Sequence, residues 1–76
     1  MQSVPLFRIE DEFDTYIEAA HAAKSLDRAL RFIIRAENVI RSFDDLPEDF
    51  KQYKYETVED TRRIIREKFE TPKKDE

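Results

Sequence analysis

The chain has no glycine, and that absence excludes more than any residue present. Two-residue hairpin turns need positive φ, which glycine supplies most readily, although Asn and Asp can serve. A glycine-free chain fits helices joined by short polar turns and fits a meander of strands poorly. Glycine-rich phosphate loops are excluded too, and with them nucleotide binding of that kind. Cysteine is also absent. Disulfides, thiolate metal sites and a cysteine nucleophile are therefore ruled out, and the redox compartment is left open. Apolar runs reach only three or four residues, far short of the about 20 that cross a bilayer. Arg8 is the single basic residue before Glu10 and no long apolar run accompanies it, so no signal peptide is read there. Cytoplasmic residence is the expectation.

What remains is short and charged. Seventy-six residues make one domain, and a chain of this size buries only about 60–65% of its unfolded surface. Its core is thin, so stability rests on helix quality and on association. Charged residues make up 42%, with a net charge of −4. The charge is banded: −4 over residues 1–23, +3 over 24–43, −5 over 44–60 and +2 over 61–76. Alternating bands let successive antiparallel helices face one another with opposite sign, and would equally suit self-association.

The pattern predicts an all-α, small three-helix bundle with one short connecting helix, associating as a dimer. Residues 1–9 read as an apolar arm broken by Pro5, which restricts Val4 and favours extended backbone. The helical domain then spans 10–70. Phe13, Tyr16, Ile17, Ala20 and Ala23 mark one face of a first helix, and acids crowd its first turns, where they complement the helix dipole. Ser25 is a natural N-cap for a second helix. Leu26, Ala29, Leu30, Phe32, Ile33, Ala36, Val39, Ile40 and Phe43 cover about half its circumference, so it should be central and buried on two sides. Pro47 starts a short helix to Tyr53. Thr57 and Asp60 resemble a capping box for a last helix along Val58, Thr61, Ile65 and Phe69. Thr71-Pro72 stops it, leaving a polar, disordered tail at 71–76.

Few residues invite chemistry. Glu18-x-x-His21 has the spacing of inward-pointing ligands in helical metal sites. Counted from Phe13, however, Glu18 lies about 140° and His21 about 80° round the helix, on the solvent side or an edge. No metal or other cofactor is expected. None of the three Ser and four Thr has nucleophile context, and no carboxylate pair stands out, so no enzyme is expected. Glu37 sits within the apolar arc of the second helix and must find a partner there. Arg41, four residues on, supplies one, and a second partner across an oligomer interface would set register. Arg28, Arg31 and Arg35 form a basic stripe able to grip phosphates, and Phe50 to Tyr55 interleave bases and aromatics as single-strand binders do. The pI near 5.0 argues against nucleic acid, since such domains show a basic excess. A solvated arginine face is the simpler reading.

The apolar inventory is larger than three short helices can bury. Leu6, Phe7, Ile9, Phe32, Ile34, Val39, Tyr53, Tyr55 and Ile64 fall on the margins of the assigned faces. Surplus apolar and aromatic surface rimmed by arginine has the composition of a protein interface. The expectation is a non-enzymatic interaction module, a homodimer or bound to a larger protein, acting as a regulator, inhibitor or assembly factor. Its contact residues would be Leu6, Phe7, Ile9, Ile34, Tyr53 and Tyr55. A nucleic-acid-binding regulator acting through the arginine stripe is the alternative, and a carboxylate–His metal dimer a more distant one.

Overall fold

The computed structural model describes residues 5–70. Among them are three helices and no strand: α1 over Leu6–Ala22, α2 over Leu26–Arg41 and α3 over Glu48–Glu70. No helix among the described residues is long and apolar enough to cross a membrane. Positions 1–4 of the expected arm and the expected tail at 71–76 lie outside the described residues.

The arm expected over residues 1–9 is replaced from Leu6 onward by helix. Pro5 is extended, with φ −64° and ψ 146°, and its carbonyl accepts from the Arg8 and Ile9 amides at 3.0 and 3.3 Å. The proline ring restricts the residue before it, not the one after, so a helix can start at once. One consequence corrects a site residue. Ile9 was expected on the partner-binding arm, and it is a core residue only 2% exposed.

Ser25 caps α2 as expected, its hydroxyl accepting from the Arg28 amide at 3.2 Å. The turn before it is built from extended residues, Ala23 at φ −65° and Ser25 at φ −140°. No residue described has positive φ, which is how the chain manages without glycine. At the other end of α2, the Ser42 amide and hydroxyl both donate to the Asn38 carbonyl, at 3.0 and 2.7 Å. Leu46 then folds inward to a buried position, and the Pro47 carbonyl accepts from the Lys51 amide at 3.0 Å to begin α3.

The separate connecting helix is absent, because α3 runs unbroken for 23 residues. Nothing between Glu48 and Glu70 breaks a helix. Thr57, expected as an N-cap, instead donates its hydroxyl to the Tyr53 carbonyl one turn back, at 3.0 Å, a bond open to threonine inside a helix. Asp60 pairs forward with Arg63 at 2.8 Å instead of closing a capping box.

Helix α2 is the centre. Ala29, Ile33, Ala36, Val39 and Ile40 are buried along it, against Ile9, Phe13 and Ala20 of α1 and Val58 and Ile65 of α3. Fully burying each large aliphatic or aromatic side chain contributes about 1.5–3 kcal/mol. Fully buried Ala20 and Ala29 flank the tight α1–α2 turn, where small side chains let the backbones approach. Helices α1 and α3 touch each other far less than either touches α2. That thin seam positions the site.

Candidate protein-binding face

Two polar contacts clip α1 to α3. The Lys54 ammonium donates to Glu10 Oε2 at 3.0 Å, and the Lys68 ammonium donates to the His21 carbonyl at 3.1 Å. Residue order is the same on both strands of this ladder, so α1 and α3 run parallel and α2 antiparallel to both.

Lys54 is the residue that sequence reasoning missed. It is 4% exposed, and its Nζ lies 5.2 Å from the Phe13 ring centroid, 5.4 Å from Phe50 and 5.2 Å from Tyr53. Aromatic faces attract a cation, most strongly where water is excluded, and Glu10 supplies the neutralising charge. A signal was present. Lys54 precedes Val58, Thr61 and Ile65 by 4, 7 and 11 residues, which places it on the same buried face.

Around this frame the seam carries large apolar side chains in solvent. Leu6 is 42% exposed, Phe7 69%, Tyr53 62% and Ile64 46%. Leu6 and Phe7 stand one turn before Glu10 on α1, and Tyr53 borders the Lys54 site. Ile64 lies further along the same flank of α3, four residues before Lys68. Three residues of the expected contact set therefore share one face.

The others do not. Ile9 is in the core. Ile34 is exposed on α2, three residues before Glu37 on the flank that meets α3. Tyr55 is half-buried against the core, on the opposite flank of α3 from Tyr53.

Glu37 and Arg41 form the expected ion pair at 3.4 Å. The second partner of Glu37 is Arg62 of the same chain, at 3.5 Å, and Arg62 also holds Glu59 at 3.0 Å. Glu37 thus ties α2 to α3 internally, a pairing across helices that no sequence spacing could show.

Arg28, Arg31 and Arg35 are all exposed. With Ser25, Asp27 and Phe32 they line an open groove of about 420 Å³. Arg31 pairs with Asp27 at 3.6 Å. Arg35 also borders a neighbouring groove between α1 and α2, lined by Glu12, Tyr16 and Phe43. Glu18 and His21 are exposed. Among the described residues, no three His, Asp or Glu side chains converge closely enough to hold a metal ion.

No family model matches the chain, and no similar curated protein or solved structure was found.

Proposed function

We propose that this chain is a small non-enzymatic cytoplasmic interaction module that docks on a larger protein through the α1–α3 face, as a regulator, inhibitor or assembly factor. The observation that carries this reading is the exposure of Leu6, Phe7, Tyr53 and Ile64 along one thinly packed seam. Neighbouring large apolar side chains left in water favour a covering surface, and aromatic residues dominate the energetics of such contacts. Self-association through the same face is the homodimeric form of the reading.

Tagged full-length chain should capture a stoichiometric protein from native lysate, and nuclease should not release it. Phe7→Glu and Tyr53→Glu should each abolish that capture while leaving the helical circular dichroism unchanged. Capture that survives both substitutions sinks the proposal.

A second reading has its own support. Arg28 and Arg35 have no carboxylate within ion-pair distance among the described residues, and half-buried Phe32 lines their groove. Guanidinium groups beside an aromatic ring suit phosphate and base contacts. On this reading Arg31→Glu abolishes binding to single-stranded nucleic acid, and the affinity falls steeply with salt.

A further inference from the structure

We infer that the α1–α3 face takes a basic amphipathic helix of the partner protein, an inference that rests on the docking role proposed for that face. Unpaired carboxylates stand beside its exposed apolar side chains. Counting about 100° per residue on α1, Asp14 and Glu18 fall beyond Glu10 on the side that meets α3. Counting from Ile65 on α3, Ile64 and Tyr53 lie about 100–120° round, on the flank away from Arg62. Asp60 and Glu67 lie beyond them on the same flank. By the same count Phe7 shares a row with Asp14 and Glu18, so the face is apolar at its Phe7–Tyr53 end and acidic beyond it on α1, with Asp60 and Glu67 along its α3 edge.

The acids of these edges are largely uncompensated. Asp14, Glu18 and Glu67 are exposed and have no ion-pair partner among the described residues. Asp60 is held by Arg63 at 2.8 Å. Of the basic groups of the face, Lys54 is neutralised by Glu10, whereas Lys68, held by the His21 carbonyl, keeps its charge and is outnumbered by the unpaired acids. The α2–α3 side differs. There Glu37 and Glu59 are balanced by Arg41 and Arg62, so no field of one sign remains.

Exposed apolar side chains with unpaired acids beside them fit a helix with apolar residues at i, i+3, i+4 and i+7 and Lys or Arg flanking them. Opposite charge steers such a partner and fixes its register, and like charge rejects an acidic one. An acidic helix, a flat neutral surface and a second copy of this chain are the competing occupants.

The probe is a display library of helical peptides of about 15 residues, roughly four turns, with apolar and charged positions randomised independently. It is panned against the folded full-length chain. Enriched peptides should carry net positive charge. Their binding should weaken at least about tenfold with Asp14→Lys combined with Asp60→Lys and Glu67→Lys, and also with Tyr53→Glu. The lysine substitutions fall on exposed positions, and circular dichroism checks that the helices persist. Neutral or acidic winners that still need Tyr53 overturn the basic partner and leave the docking face standing. Winners indifferent to Tyr53→Glu overturn both. A library that yields none, while sedimentation shows a dimer that Tyr53→Glu dissociates, overturns the basic helix and makes a second copy of this chain the occupant. Absence of any enriched peptide overturns the helix-binding role.

Discussion

Lys54 and Glu10 meet across the α1–α3 seam at 3.0 Å, with the lysine side chain 5% exposed and the glutamate 48%. The asymmetry of that burial decides which partner is costlier to lose. Removing the carboxylate strands a cation among three rings, whereas removing the ammonium leaves a carboxylate that water reaches.

Glu10→Gln should therefore destabilise the fold by about 1 kcal/mol or more. Lys54→Met keeps the stem in its aromatic frame and should cost less. Urea denaturation of both variants checks the order, and a costlier Lys54→Met contradicts the account.

Ile9 and Phe7 sit two residues apart on α1 and should respond oppositely. Ile9→Ala should cost about 2–5 kcal/mol as a core truncation. Phe7→Ala should stay within about 0.5 kcal/mol, as surface changes do. Phe7→Ala should nonetheless weaken partner capture. Thermal unfolding and pull-down, read together, separate the two roles.

Ser25 and Thr57 both looked like helix caps, and only Ser25 is one. Ser25→Ala should cost about 1 kcal/mol. Thr57→Ala should be neutral or slightly stabilising, because alanine is the better helix former. Glu56→Pro sharpens the contrast. In an unbroken α3 it clashes with the Gln52 carbonyl and costs about 3 kcal/mol or more, whereas between two helices it would be tolerated.

The Glu37–Arg62 pair should couple α2 to α3 measurably. Both side chains are mostly buried, at 25% and 29% exposure, whereas Arg31 and Asp27 are 73% and 84% exposed. A double-mutant cycle should give about 0.5–1 kcal/mol for the first pair and close to zero for the second. Equal couplings would mean that the Glu37 contact is as loose as a solvated pair.

Much of this fold was legible because its signals are local. Helix α2 announces itself through Ser25 and a wide apolar arc, and its central place follows from that width. The Glu37–Arg41 pair follows from spacing alone. What sequence reading could not supply depends on register between helices. Arg62 reaches Glu37, and Lys54 reaches Glu10, only once α3 lies against both neighbours. The split of the expected contact set has the same origin, since Tyr53 and Tyr55 sit on opposite flanks of one helix. Two misreadings were of backbone. Pro5 constrained the residue behind it, and a break was expected between Tyr53 and Thr57 although nothing there interrupts a helix.

The absence of left-handed backbone across residues 5–70 has a consequence for how this chain tolerates change. Where a turn demands positive φ, one residue type is nearly compulsory whatever surrounds it. Here no described position carries that demand. Both interhelical links can accept β-branched or bulky replacements without steric penalty from the main chain, so mutational cost falls on caps, core and ion pairs. A saturation scan of residues 23–25 and 42–46 should therefore show broad permissiveness at exposed positions, broken at Ser25, at inward-facing Leu46, and at Ala23 and Phe43, which pack against the core.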